Sequence, residues 1–317
     1  MSFRIISTGS AVPSRVVTND ELATFLDTSD QWITERTGVK ERRVCVTETA
    51  SGLGIEAGRR TLEAGNTRPE ELDMIIAATV SGEYVSPGMA CMIQAGLGAT
   101  CPAMDVNAAC SGFVFALDTA AGFFARGRVK KVLVVGAEQT SRIVDWTDRN
   151  TAVIFGDGAG ACLLEAGDNY IESKLFSRGG ADVIQIPTSI GVSPFFEGEQ
   201  VKPLIHMKGQ ETFRFAVSVM AADIQEVLAS AGIAQSEVAY VIPHQANVRI
   251  IDTAKKRLDI PAERFAVNLD KYGNTSAASI PMVLDGLNRD GKLTRGDILV
   301  ISAFGGGLSS GACVIQW

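Results

Sequence analysis

Six cysteines and two histidines are the residues of this chain best suited to covalent or acid–base work, and one of each stands where a strand gives way to a turn. Cys110, in Asp105-Val106-Asn107-Ala108-Ala109-Cys110-Ser111-Gly112, follows a short strand-like run and opens an apolar stretch of helical character. At a helix N-terminus the unpaired N–H groups favour thiolate over thiol, so a nucleophile is expected there. By position alone Cys110 is equally one more small buried residue. His244 ends the apolar run Val241-Ile242-Pro243, at the place where open α/β sheets present groups to a ligand. A lone histidine is as readily a satisfied core or surface residue, and His206, in 204–208, carries only that second reading. Asn274, in Tyr272-Gly273-Asn274-Thr275-Ser276-Ala277-Ala278-Ser279, reads alone as a turn and helix cap.

An internal repeat changes the weight of Asn274. Cys110 lies 17 residues before Gly127, and Asn274 lies 17 before Gly291, so one offset of 164 covers both helices and their terminal glycines. Strand 132–135 meets 298–301 after a short insertion, Gly160-Ala161-Cys162 rhymes with Gly311-Ala312-Cys313, and 72–78 pairs loosely with 238–243. The period is too long for a solenoid and implies a duplicated unit. Equivalent helix starts meet near a pseudo-twofold axis, so Cys110 and Asn274 are expected to converge.

The elements that must position these residues alternate along the chain. Strand-like runs lie at 4–8, 74–79, 103–106, 132–136, 152–155, 161–165, 240–243, 298–302 and 312–316. Helical runs lie near 53–64, 110–126, 212–231, 248–258 and 276–288. That order predicts α/β layers with largely parallel strands. The run from Cys110 is apolar on nearly every side, as expected of a helix enclosed between layers.

At 317 residues and 46% apolar content the chain can bury a large core. A net charge of −7 gives no nucleic-acid footprint, so any basic patch is local. No apolar run reaches the roughly 18 residues of a membrane span, and the N-terminus lacks the order of a secretion signal, which predicts a cytoplasmic address. The cysteines form no C-x-x-C pair, and with two histidines no metal site is expected.

The segments DTSDQWITERTG, DVNAACSG, FGDGAGA, PHQAN, YGNTSAAS and AFGGG span nearly the whole chain in this order. Together they resemble the β-ketoacyl-acyl carrier protein synthase III family of the thiolase superfamily. The resemblance implies a thiolase-like α/β fold, with duplicated βαβαβαββ halves at 1–168 and 169–317 in a five-layered α-β-α-β-α arrangement. It implies a catalytic triad of Cys110, His244 and Asn274. The cysteine takes an acyl group from acyl-CoA and then condenses it with malonyl-acyl carrier protein, with no cofactor beyond the CoA thioester that is itself substrate. The N–H groups of Cys110 and Gly306 form the oxyanion hole, and Phe304 shields the pocket from water. Trp32 and Arg149 flank the adenine, while Thr28, Arg36 and Arg249 meet adenine or phosphate oxygens. Gly209 and Asn247 contact the pantetheine arm. Lys208, Arg214, Arg249, Lys255, Lys256 and Arg257 offer a docking patch for an acidic carrier protein, or a solvated face. A homodimer is implied, and the apolar segment 89–97 suits its interface or the core.

Two departures from the family pattern stand out. Ser86 replaces a bulky aromatic that enters the partner subunit's acyl pocket, which would admit a longer or branched primer; Asn107 has no account. Elongating synthases need two catalytic histidines and biosynthetic thiolases a second cysteine, so both are disfavoured. A specialised relative making a quinolone or polyketide starter carries the same triad, and would differ in loops such as 177–202. A scaffold protein that had lost its chemistry would not keep all three residues.

Overall fold

The computed structural model of the chain describes residues 2–188, 194–195 and 201–317. Among the described residues, nine strands form the two larger sheets: β1 (Ser2–Ala11), β2 (Met74–Ala78), β3 (Ala103–Val106), β4 (Lys131–Glu138) and β5 (Gly158–Gly167) in the first. The second holds β6 (Tyr170–Ser177), β7 (Val238–Pro243), β8 (Ile298–Gly305) and β9 (Ser309–Gln316). The longer helices are α1 (Asp30–Thr37), α2 (Ala50–Ala64), α3 (Met89–Leu97) and α4 (Gly112–Ala125). They continue with α5 (Gly209–Ala231), α6 (Val248–Arg257) and α7 (Ser279–Arg289).

Successive side chains of a strand point to opposite faces, so a continuous apolar run demands cover on both. In β2, Ile76 joins a central core while Ile75 joins an outer one. The central core holds Phe113, Leu117 and Phe124 of α4, Ile280 and Leu284 of α7, and strand residues of both sheets. α2 and α3 close the outer face of the first sheet, and α5 and α6 that of the second. Five layers result, with α4 and α7 in the middle. Phe113, Leu117 and Phe124 are all fully buried, which accounts for the missing polar stripe on that helix.

The two sheets share one topology. Strand order β1-β5-β4-β2-β3 in the first corresponds to β6-β9-β8-β7 in the second, where an isolated bridge from Val241 to Phe265 stands in place of β3. The expectation of largely parallel strands is corrected: β2–β3, β2–β4 and β7–β8 are parallel, but β1–β5, β4–β5, β8–β9 and β6–β9 are antiparallel. Each unit ends in two consecutive strands without a crossover helix, and such neighbours run antiparallel. The strand expected at 152–155 is also absent; Asp148 caps a helical turn at Arg149–Ala152, and Phe155 makes only an isolated bridge to Asn274.

The repeat itself has a different register at the site. A 3₁₀ turn at Ala109–Ser111 precedes α4, and one at Ser276–Ala278 precedes α7. Ala109 and Ser276 share a left-handed φ of 49°, a conformation that costs a side-chain-bearing residue energy. These positions differ by 167 (276 minus 109), as do the first and last residues of β4 and β8. The equivalent of Cys110 is therefore Ala277, not Asn274. The offset of 164 holds only at the terminal glycines Gly127 and Gly291, because α7 is three residues shorter than α4.

Candidate active site

Each of the three expected residues is fixed by its own element. Cys110 sits in the 3₁₀ turn, two residues before α4, where Ser111 Oγ donates to Ala108 O at 2.7 Å and meets Ser309 Oγ at 2.8 Å. His244 follows β7; its N–H donates to Ser302 O at 2.8 Å, and its Nδ1 lies 2.7 Å from Ser279 Oγ. The Phe304 ring stands edge-on to the imidazole, with centroids 5.3 Å apart at 69°. Asn274 is pinned by the chain ahead of β5: its N–H donates to Ile154 O at 2.9 Å and its carbonyl accepts from Gly156 N at 3.0 Å. A Cβ on Gly156 would meet Tyr272 O at 2.3 Å, so only glycine permits this seam. Asn274 Oδ1 accepts from Ser276 N at 2.8 Å, which leaves the Nδ2 amide group as the free donor.

Cys110, His244 and Asn274 line one cavity of about 690 Å³, together with Phe304, Gly305 and Gly306. A Cβ on Gly305 would come within 2.7 Å of Cys110 N and 3.2 Å of Ser111 N, so the glycine run brings β8 against the cysteine amide. That close approach places Gly306 beside the same turn, where an added Cβ would lie 3.6 Å from Ala109 Cβ.

The electrostatics run against the thiolate expectation. Desolvation by the surrounding protein pushes the Cys110 thiol up to about 12, although the residue is half-exposed to the cavity, and the buried Glu138 carboxylate adds to the rise. Ser276, whose buried hydroxyl has no partner within hydrogen-bond distance, partly opposes it. The thiol stands in a 3₁₀ turn rather than in the first turn of α4, so the expected relief from the helix end is weaker than the burial. Burial likewise depresses His244 to about 3, and the imidazole is neutral at physiological pH. Burial raises the Glu138 carboxyl, while donors from Ser81, Val80 and Ala277 work in the other direction.

The residues implied in CoA binding divide. Arg36, Gly209, Asn247 and Arg249 line the cavity. Nothing lies within 4 Å of where a Cβ of Gly209 would stand, so packing does not demand that glycine. Asn247 caps α6, accepting from Arg249 N at 2.9 Å and donating to Arg36 O at 3.0 Å. Thr28, Trp32 and Arg149 lie outside the cavity lining, but two guanidinium groups stand over the Trp32 ring, Arg36 at 4.7 Å and Arg149 at 4.9 Å from its centroid. Arg149 also donates to Asp27 O at 2.7 Å, and Thr28 Oγ1 is buried without a partner.

The basic residues are more dispersed than a single stripe. Arg214 and Arg249 reach the cavity, with the Arg249 guanidinium 5.5 Å from the Phe213 ring. Lys256 is exposed, whereas Lys255 pairs with Asp252 at 3.0 Å and Arg257 donates to Val217 O at 2.7 Å. Lys208 borders a separate depression with His206. Ser86 does not line the cavity of its own chain; it is exposed beside Val85, which is 95% exposed. Of the loop 177–202, residues 189–193 and 196–200 lie outside the described residues. Among the described residues no group of three or more His, Cys, Asp or Glu side chains is placed to hold a metal ion, and no helix is long and apolar enough to cross a membrane.

Sequence reasoning passed over Ser276, Ser279 and Glu138. The two serines lie inside the YGNTSAAS segment, but small polar residues at a helix start read as caps. Glu138 gives no local signal, because a single acid ending a strand is normally solvated.

Residues 104–179 match the family described as 3-Oxoacyl-[acyl-carrier-protein (ACP)] synthase III, and 228–317 match its C-terminal part. The chain belongs to this family. A β-ketoacyl-[acyl-carrier-protein] synthase III of Clostridium acetobutylicum is 45% identical, covering 100% of this chain and 99% of the relative. The crystal structure of 3-oxoacyl-[acyl-carrier-protein] synthase III from Aquifex aeolicus superposes with a TM-score of 0.93 at 43% identity, over 99% of this chain and 100% of that one. The priming β-ketosynthase of the R1128 polyketide pathway superposes at 0.91 with 32% identity, over 99% of this chain and 96% of that one.

Proposed function

We propose that this synthase III family member primes fatty acid synthesis, with Cys110, His244 and Asn274 as its catalytic residues and two halves, 1–168 and 169–317, that each supply part of the site. The observation that carries the reading is one cavity holding a thiol, a neutral imidazole and a carboxamide whose oxygen is already occupied. Full-length relatives at 43–45% identity are named β-ketoacyl-[acyl-carrier-protein] synthase III, which supports this reading over a specialised pathway.

In the first step the Cys110 sulfur bonds to the acyl carbon of acyl-CoA, the carbon–sulfur bond to CoA breaks, and the thiol proton leaves with the CoA thiolate. A thioester intermediate splits one difficult transfer into two easier ones. The N–H groups of Cys110 and Gly306 hold the oxyanion. In the second step the malonyl carbon–carboxylate bond breaks and carbon dioxide leaves. The freed electron pair spreads onto the thioester oxygen, where Asn274 Nδ2 and His244 donate hydrogen bonds. The enolate carbon then attacks the acyl carbon, and the Cys110 sulfur departs as thiolate to be reprotonated by solvent. Phe304 keeps water from the acyl-enzyme. Arg36 and Arg249 meet the anionic end of CoA, with Thr28, Trp32 and Arg149 around the adenine and Gly209 and Asn247 along the arm. Arg214, Arg249 and Lys256, with Lys208, Lys255 and Arg257 further out, receive an acidic carrier protein, and a homodimer is the working assembly.

Mass spectrometry after exposure to acetyl-, hexanoyl- and octanoyl-CoA tests this. An acyl adduct on the Cys110 peptide is expected, absent in Cys110→Ala and discharged by malonyl-acyl carrier protein as a 3-oxoacyl product. No adduct from any acyl-CoA would reject the reading.

A further inference from the structure

Ser279 is the first residue of α7 and is almost wholly buried, at 1% exposure. Its hydroxyl lies 2.7 Å from His244 Nδ1, and Gln245 N–H points at the same oxygen from 3.5 Å. Among the helix hydroxyls, Thr37, Thr61 and Thr119 donate to the carbonyl four residues earlier at 2.7–2.8 Å, whereas buried Ser51 donates to the Glu83 carboxylate. Ser279 makes no such bond among the described residues, so the ring nitrogen is the one acceptor within reach of its proton. The opposite arrangement, with Nδ1–H donating to Ser279, would leave a buried hydroxyl proton without an acceptor, which costs about 1–3 kcal/mol.

We infer that Ser279 is a positioning residue that donates to His244 Nδ1 and so fixes the imidazole as the tautomer protonated on Nε2, facing the cavity as a hydrogen-bond donor. The Phe304 ring packs against the imidazole at 69°, and the backbone bond to Ser302 fixes the main chain that carries it. A neutral imidazole of this tautomer has no free lone pair for the Cys110 proton. It serves the decarboxylating half of the reaction, where charge gathers on the malonyl thioester oxygen, and not the acylating half. This deepens the function proposed above and rests on it.

The chain has two histidines, His206 and His244, and His206 is exposed, which makes the test direct. In protein labelled with 15N-histidine, one imidazole should show an Nε2–H, Nδ1-lone-pair spectrum that does not change between pH 6 and 8. In Ser279→Ala that signal should move to a tautomer mixture. Single-turnover acylation of Cys110 should stay within about threefold, while condensation with malonyl-acyl carrier protein falls at least about tenfold, part of the 10²–10³ that losing an oxyanion donor outright costs. Ser279→Thr, which keeps the hydroxyl, should restore both the spectrum and the condensation rate; a variant that merely packed badly would not be rescued in this split manner. An Nδ1–H signal in the unsubstituted protein, or a Ser279→Ala variant that keeps its tautomer and its condensation rate, would overturn the assignment. Failure of every acyl-CoA to acylate Cys110 would instead remove the proposed function and leave the spectrum standing.

Discussion

At the scale of single residues, burial sets the chemistry of both titratable members of the site. A thiol pushed up to about 12 is almost entirely protonated at neutral pH, so its alkylation should depend on the small thiolate fraction. Iodoacetamide labelling of Cys110 is expected to accelerate about tenfold per pH unit from pH 7 to 9. A plateau near pH 7 would mean that the turn and Ser276 offset the desolvation after all. His244 carries a stability consequence of the opposite kind. Its folded value near 3 lies below the ordinary 6.5, so between those limits the unfolded chain binds a proton that the folded chain refuses. Stability is lost as the pH falls through that window, by about 2 kcal/mol between pH 7 and 5 at 1.36 kcal/mol per unit. Urea midpoints should show this drop, and His244→Ala should lose the part that belongs to the imidazole; equal drops in both proteins would refute it. Cys110 and His244 stood out in the sequence because unusual residue types followed strand-like runs, whereas Asn274 stood out only through the repeat, whose offset at the site is 167 and not 164. Ser279 did not stand out, because a hydroxyl becomes informative only when the atom it touches is known.

At the scale of elements, the site depends on backbones approaching closer than side chains allow. Gly305 brings β8 against the turn that bears Cys110, and an added Cβ would meet backbone nitrogen, which cannot swing aside. Gly305→Ala should therefore displace the turn, destabilise the fold by roughly 1–3 kcal/mol and slow acylation far more than that stability loss explains. The check is a thermal melt beside the single-turnover rate; a variant that melts lower yet acylates normally would contradict it. Gly160 does the same for the second half, since its Cβ would meet Met282 N at 2.7 Å where α7 crosses β5. The element order was legible in the apolar runs, and β3 was bounded as expected at 103–106. Three features escaped. α1 is too polar to show an apolar stripe, β6 alternates with charged residues, and α3 read as an apolar segment with the right bounds, 89–97, but not as a helix. The register of the repeat escaped for a different reason: α7 ends three residues earlier relative to its start, so glycines aligned from one end misplace the other.

At the scale of the whole molecule, the cavity of one chain is closed by residues of both repeats, yet the segment before Pro87 contributes nothing to it. Tyr84 and Val85 are 57% and 95% exposed, an unusual amount of apolar surface for consecutive residues. If a second copy covers that segment in the proposed homodimer, Ser86 faces the partner's acyl pocket and its small size sets the primer length there. Ser86→Phe is then expected to lower octanoyl transfer to Cys110 at least tenfold while sparing acetyl transfer, since a filled pocket excludes by overlap and not by lost affinity. The decisive measurement uses mixed dimers in which one chain carries both Ser86→Phe and Cys110→Ala, so that only the unsubstituted chain can be acylated. Action across the interface predicts loss of octanoyl adduct on the unsubstituted chain's own Cys110. Unchanged octanoyl transfer in the mixed dimer, alongside a loss in a chain bearing Ser86→Phe alone, would place the selectivity within one chain instead.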